Sequence, residues 1–272
     1  MEYLCHRVLR QAYVASELPV VLTGLAVGSR RKGREAISID LSAYGDPLYM
    51  RYTRCAFSLY RKTRGSNGFL ACLPRTDSPL EDLLSVRVSP DLAADYAAST
   101  GAAIPDGTQG AKRLLQAYLG SDLRRYHQFF DSIGQDEPAL WPATYDRFNL
   151  NSVPPCVSYP LRCPNPALAD PTNIQNVSRV LVSRGWHPRS VAGLIRSRFE
   201  RDFSWGPNWL YYDAAARADF YVRLHGGLVA DGLDDLRDFN CISHQEKGYC
   251  PKPWCGFSLG SYKTGLEIAS KI

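Results

Sequence analysis

The sequence has no apolar run of the about 18 residues that a membrane-spanning helix needs. Its first residues, MEYLCHRVLR, lack the apolar core of a secretory signal peptide. We therefore expect a cytoplasmic protein with no membrane partner. Disulfide bonds are rare in that reducing compartment, so clustered cysteines are interpreted first as metal ligands and isolated cysteines as core residues.

Signatures of common catalytic sites are also missing. The chain has no GxxxxGK[ST] phosphate-binding loop, no GxSxG nucleophile motif and no HExxH metalloprotease motif. Its five histidines are scattered along the sequence and indicate no catalytic triad. Hydrolysis by an activated nucleophile is therefore disfavoured.

The composition is that of a folded protein. The 272 residues are 45% hydrophobic and 22% charged, which is enough apolar content for one or two domains with a core. The formal net charge of +5 favours polyanionic partners if the positive charge is clustered.

Local patterns predict a mainly α fold, α+β overall, in three parts. Residues 1–78 form a small β-containing part, in which β-branched runs at 19–25 and 36–41 predict a hairpin-like pair and 68–73 a further strand. Residues 79–150 predict a helical middle that ends in a proline-rich connection.

The third part, residues 151–272, is predicted to be mainly helical. Apolar residues recur at steps of three and four over residues 174–185, 188–202 and 212–226, and each segment ends near a glycine or a polar break. We place the domain border near residue 150.

Four of the eight cysteines stand out by their neighbours. Cys156 follows two prolines, and Cys241, Cys250 and Cys255 lie in the segment NCISHQEKGYCPKPWC with the spacing C-x8-C-x4-C. A loop rich in glycine and proline can bring three thiols to one centre, because neither helix nor strand geometry constrains it. The segment therefore predicts a metal or cluster site.

A fourth ligand must come from another part of the sequence or from a histidine. Cys156 is the first candidate and Cys163 the second, while His244 would complete a zinc site of the Cys3His type. Many zinc modules use short C-x2-C pairs, which this segment lacks, so the spacing favours an iron-sulfur cluster over Zn²⁺. The alternative is a set of unconnected thiols on the surface or in the core.

With these cysteines, residues 151–272 resemble the iron-sulfur domain of the large subunit of archaeal and eukaryotic primases. In that family the first cluster cysteine follows a proline and the other ligands lie near the chain end. The resemblance implies a helical domain folded around a [4Fe-4S] cluster. The implied ligands are Cys156, Cys241, Cys250 and Cys255.

Two further segments extend the resemblance. The run NIQNVSR, residues 173–179, is similar to a family helix with a polar residue, a histidine and an arginine at three-residue steps, although asparagine replaces the histidine here. The run FYVRLHG, residues 220–226, is similar to a segment that contributes to binding the primer terminus. The implied nucleic-acid or nucleotide-binding residues are Asn173, Asn176, Arg179, Tyr221, Arg223 and His225. The alternative is that the two arginines merely face water on their helices.

Residues 38–68 resemble the third-motif region of the small, catalytic primase subunit. As in that family, Asp40 is followed six residues later by Asp46, and Arg54 stands four residues before the sequence SLYRKT. The resemblance implies that Asp40 binds a catalytic Mg²⁺ or Mn²⁺. The positive charges of Arg54, Arg61 and Lys62 suit contact with phosphates, a role that needs charge and not a complete metal site. The family's histidine is Tyr60 in this chain.

The family's paired Asp-x-Asp is absent from the 39 residues before Asp40. Nucleotidyl transfer of this kind holds two divalent ions with several carboxylates, so Asp40 alone is insufficient. The catalytic carboxylates would then lie on a separate primase subunit, or the segment is a noncatalytic scaffold.

These resemblances imply a primase-type replication factor that supports primer synthesis. Its partners would be single-stranded DNA template, an RNA or DNA primer end, nucleoside triphosphates and a catalytic primase subunit. The alternative function is a noncatalytic, zinc-stabilised module that binds nucleic acid or a protein. A third hypothesis is that the chain polymerises nucleotides by itself.

Overall fold

The computed structural model describes residues 2–15, 20–22, 37–39, 59–60, 69–70, 79–100, 108–162, 171–201, 214–234 and 236–271. Over these residues the chain is mainly helical, which confirms the mainly α prediction. None of the helices in these ranges has both the length and the apolar character needed to cross a membrane.

The chain divides into two compact units. One contains residues 1–49 and 113–272, and the other contains residues 50–112. These units cut across the predicted border at residue 78, since the first helix belongs to the same unit as the cysteine-bearing part. Residues 151–272 stay together within the larger unit.

The larger unit begins with helix α1 (Glu2–Ala15) and contains strands β1 (Val20–Leu22) and β2 (Ile37–Ile39). The two strands pair in parallel, with Val20 opposite Ile37, so the predicted hairpin-like pair is wrong. A hairpin joins antiparallel strands through a short turn, whereas residues 23–36 provide the dozen or so residues that a parallel crossover needs.

The smaller unit contains a short antiparallel pair followed by two helices. Strands β3 (Leu59–Tyr60) and β4 (Phe69–Leu70) align Leu59 with Leu70. Helices α2 (Leu80–Val88) and α3 (Pro90–Thr100) follow, and each buries one apolar residue that is described, Val86 and Ala93 respectively.

The helices after residue 112, beginning within the helix Thr108–Leu119, build most of the larger unit. In chain order they are α4 (Thr108–Leu119), α5 (Asp122–Phe130), α6 (Pro155–Arg162), α7 (Pro171–Ser183), α8 (Pro188–Arg201), α9 (Ala214–Ala230), α10 (Cys241–Glu246) and α11 (Lys263–Ala269). Single turns of 3-10 helix occur at Pro138–Leu140, Tyr145–Arg147, Leu150–Ser152 and Leu259–Tyr262. The three helices predicted after residue 151 are confirmed as α7, α8 and α9.

Local sequence explains where these helices begin and which face they bury. The Ser121 hydroxyl accepts a hydrogen bond of 3.2 Å from the Arg124 backbone N–H, which caps α5. Proline occupies the first turn of α7 and α8, where its missing N–H costs nothing. Helix α8 buries an apolar stripe at helical spacing, made of Val191, Ala192, Leu194, Ile195 and Phe199.

Helix α7 lies at the centre of the core and is buried on all sides. Every residue from Thr172 to Leu181 is buried, including five with polar or charged side chains beyond Thr172. Its apolar residues Ile174, Val177 and Val180 pack in the same core cluster as residues of α8 and α9. A buried helix this rich in polar groups requires internal partners for them.

Helix α1 is attached to α5 and α9 through buried ionic groups. The Glu2 carboxylate lies 2.9 Å from His127 Nε2 and 3.3 Å from the Arg223 guanidinium. The His6 ring nitrogen Nδ1 lies 2.7 Å from the Asp231 carboxylate. Burial tends to raise the pKa of Glu2, but His127 and Arg223 hold that pKa below its ordinary value.

Helix α11 packs closely against the end of α7 at a glycine. A Cβ at Gly265 would stand inside the van der Waals contact of the Ser183 carbonyl oxygen and 2.9 Å from the Ser183 Cβ. We expect Gly265→Ala to destabilise the protein by about 1–3 kcal/mol, because backbone atoms must move apart and this outweighs the better helix propensity of alanine.

Gly260→Ala is the matched control, because the nearest atom to its added Cβ is the Ser258 Oγ at an ordinary 3.5 Å. Urea unfolding of both variants measures the difference. Equal stabilities would show that α11 is not held against Ser183.

Candidate metal centre

The four cysteines predicted as ligands lie on three segments of the larger unit. Cys156 is the second residue of α6 and is buried. Cys241 is the first residue of α10, where the Asn240 side chain caps the helix by accepting a 2.9 Å bond from the Ser243 N–H. Cys250 and Cys255 follow in the loop between α10 and the turn at Leu259–Tyr262, and all four thiols are free.

The structure brings these four thiols into one neighbourhood. Burial, together with the charges of Cys250, Cys241 and Cys255, raises the pKa of Cys156 to about 11. Two of the same thiols also affect Tyr262. Burial raises the pKa of Tyr262, and the charges of Cys156 and Cys255 act in the same direction. Cys156 therefore lies close to cysteines that are 85 or more residues later in the sequence.

An amide of the buried helix faces this group. The Asn176 side chain is directed at the Cys156 sulfur and acts to lower its pKa, against the effect of burial. Neither amide atom of Asn176 has a hydrogen-bond partner of normal geometry among the described residues. A buried amide without such partners is costly, and a thiolate or inorganic sulfide would satisfy its N–H groups.

The thiols are neighbours without forming a compact coordination shell. Within the part of the chain that the structure describes, no three Cys, His, Asp or Glu side chains converge closely enough to hold a metal ion. The chemistry of the site nevertheless suits iron-sulfur or zinc binding, since it offers four thiols and an amide with unused hydrogen-bonding atoms.

Three residues of the cysteine loop have a left-handed backbone. Gly248, Trp254 and Gly256 have φ angles of 75°, 61° and 85°. Glycine adopts this conformation without strain, whereas a bulky residue does so rarely. Left-handed residues thus lie within two positions of each of the two cysteines of the loop.

His244 lies in α10, between the first two cysteines of the loop segment. Its side chain is buried, and its Nδ1 atom has no hydrogen-bond partner among the described residues. Burial, together with the charges of Lys247 and Arg179, lowers the pKa of His244 to about 4. His244 is the residue that the sequence predicts as the histidine ligand of a Cys3His zinc site.

Arg179 is buried in a set of ion pairs. Its guanidinium binds both oxygens of the Asp234 carboxylate and lies 3.0 Å from Asp238 Oδ1. Burial disfavours its charge, but the two carboxylates outweigh burial and raise the pKa of Arg179. Lys247 adds a 2.7 Å contact to Asp238, and the two cations hold the pKa of Asp238 well below its usual range.

The other residues implied in nucleic-acid binding lie around α7 and α9. Asn173 is buried, and its Oδ1 atom has no partner among the described residues. The His225 Nε2 donates a 3.1 Å hydrogen bond to the Pro171 carbonyl, and burial together with the Arg179 charge lowers the pKa of His225 to about 4. The rings of Tyr221 and His225 are stacked with their centroids 6.2 Å apart. Arg223 forms an ion pair with Glu2.

The structure thus places Asn173, Asn176, Arg179 and His225 in the interior of the larger unit. Asp40, Arg54 and Lys62 lie outside the described residues, as does Cys163. Their predicted roles stay predictions.

Two features of the site have no clear signal in the sequence. Asp234 and Asp238 belong to a visible acidic run, but nothing in it indicates a partner 55 residues earlier. A pocket of about 340 Å³ between α5, α7, α9 and α11 is also unpredicted. Its walls are mainly apolar and include Val182, Trp186 and Val222, with Arg179 and His225 among the few polar residues.

Comparisons with protein families, with curated proteins and with solved structures found no match for this chain.

Proposed function

We propose that this chain is a primase-type DNA replication factor whose residues 151–272 hold a [4Fe-4S] cluster. The observation that supports the proposal is the electrostatic effect on the Cys156 thiol of Cys241, Cys250 and Cys255, three cysteines that lie far away in the sequence. Isolated core thiols have no reason to gather in this way. The cluster ligands would be Cys156, Cys241, Cys250 and Cys255.

Bound there, a cluster would supply a covalent cross-link between α6 and the C-terminal loop and a centre that can accept one electron. The surrounding residues would position the cluster ligands. Asn176 would donate to a ligand sulfur, a contact of the kind that tunes such centres. The buried Arg179 ion pairs hold Asp234 and Asp238, which come shortly before the helix that begins at Cys241.

The burial of Asn173, Asn176, Arg179 and His225 supports a role in building the domain. Contact with template, primer end or triphosphate then falls to cations on the surface. The net charge of +5 favours such polyanions. Phosphoryl transfer would take place on a separate catalytic subunit that binds Mg²⁺ or Mn²⁺, because the carboxylate set of this chain is incomplete.

The second candidate is a noncatalytic zinc module that binds nucleic acid. The observation that favours it is His244, whose buried Nδ1 lacks a partner among the described residues and would suit a Cys3His site. The metal and sulfide content of the purified protein distinguishes the zinc site from the iron-sulfur cluster.

The test is the metal and acid-labile sulfide content of protein purified without air, together with its visible absorbance. The proposal expects about four iron and four sulfide per chain and a brown protein. One zinc without sulfide would establish the second candidate, and absence of any metal would overturn both. The same preparation is then tested for binding to single-stranded DNA.

A further inference from the structure

Trp254 combines two unusual properties at one position. Its side chain is 99% exposed, and its backbone has φ 61°, the left-handed region that bulky residues avoid. An exposed apolar residue is ordinary by itself, and so is a left-handed glycine. A fully exposed indole on a strained backbone is uncommon. Because the side chain buries almost no surface, this tryptophan does not stabilise the fold.

The loop around Trp254 presents this side chain in a restricted way. Only four residues separate Cys250 from Cys255, and two of them are prolines, Pro251 and Pro253, whose φ angles are fixed. Under the proposed function both cysteines are held by the cluster, so the loop is tied at each end. A side chain on such a loop loses little conformational freedom when it binds a partner.

The surrounding charge indicates the class of partner. Residues 241–263 contain three lysines and a single acidic residue, Glu246. Lys247 pairs with Asp238, whereas Lys252 is exposed and makes no ion pair with any described residue. An exposed aromatic side chain two residues from an exposed lysine suits the binding of single-stranded nucleic acid, through stacking of a base and neutralisation of a phosphate.

We propose that Trp254 is a stacking platform for one base of single-stranded nucleic acid and that Lys252 contacts a neighbouring phosphate. The inference rests on the proposed function, because it takes the cluster as the support of the loop and nucleic acid as the ligand. It places the contact on the cysteine loop, away from the buried residues of α7.

The test measures binding of a single-stranded oligothymidylate to the intact, anaerobically purified protein by fluorescence anisotropy. Stacking on an aromatic residue contributes enough per base that Trp254→Leu is expected to weaken binding by about tenfold. Trp254→Tyr keeps an aromatic face and should stay within about threefold of the parent. The Leu and Tyr variants share the backbone position, so strain affects both alike.

Two further variants separate stacking from other effects. Ile242→Ala removes another exposed apolar side chain, 68% exposed, from the same segment and should leave the affinity unchanged. Lys252→Ala should reduce the slope of log affinity against log salt by about one, as expected for one lost phosphate contact. Iron content is measured for every variant.

The outcomes distinguish this inference from the proposed function. A parent protein that holds the cluster but binds no oligonucleotide overturns the nucleic-acid role and with it this inference. A parent that binds, with Trp254→Leu and Trp254→Tyr binding equally well, overturns the inference alone. Equal losses from Trp254→Leu and Ile242→Ala would instead indicate a general apolar contact with a protein partner, and would also overturn it.

Discussion

Cys156→Ser, purified without air, is expected to contain less than about one iron per chain, whereas we expect about four in the parent. Serine is a poor ligand for iron and zinc, and Cys156 is the buried member of the group, so its loss leaves three thiols that are only partly buried. The free energy of unfolding should fall by several kcal/mol, because metal binding is coupled to folding in such sites.

Cys5→Ser is the control for Cys156→Ser. Cys5 is also a buried free thiol whose pKa is raised by burial, but it lies on α1 and is not among the thiols that act on Cys156. We expect it to keep the full iron and sulfide content. Equal metal contents in the Cys156→Ser protein and the parent would remove Cys156 from the ligand set.

Asp234→Asn is expected to lower the free energy of unfolding by about 3 kcal/mol or more. The side chains of Asp234 and Arg179 are each only 4% exposed, so the substitution leaves a buried guanidinium without its main counter-charge. Asparagine keeps the size of the side chain and can still accept the 3.2 Å bond from the Leu236 N–H. The loss can therefore be assigned to charge. Urea unfolding at neutral pH gives the value.

Asp131→Asn is the matched surface control. Asp131 pairs with Arg189 at 2.8 Å, but its side chain is 60% exposed, and an ion pair of that kind contributes at most about 1 kcal/mol. If Asp234→Asn were no more costly than Asp131→Asn, the Arg179 ion pairs would not hold Asp234 and Asp238 in place, and their proposed role before Cys241 would be wrong.

Elements with a regular apolar period were predictable from the sequence. Helix α8 was recognisable because its core residues recur at steps of three and four, and the same holds for α7 and α9. The direction of β1 and β2 was not, because two short apolar runs carry no information on whether the chain crosses over between them.

The candidate site likewise has some features that were predictable from the sequence and others that were not. The spacing of the three C-terminal cysteines is a local pattern and is visible in the sequence. The partnership of Arg179 with Asp234 depends on packing between α7 and a distant turn, so the arginine looked like a phosphate ligand. The position of Asn176 beside a thiol was hidden for the same reason, since helix periodicity does not say which polar residue is buried.

The attachment of α1 has a consequence for any attempt to isolate the cysteine-bearing part. A fragment beginning at residue 151 would lose Glu2, the partner of Arg223, together with His127, which pairs with Glu2, and it would lose His6, the partner of Asp231. The apolar face of α9 that meets Leu123 and Tyr126 at Gly226 and Gly227 would be open to water. Residues 151–272 therefore do not form an independent folding unit. Transferring them to another protein would require residues 2–15 and 122–130 to be included.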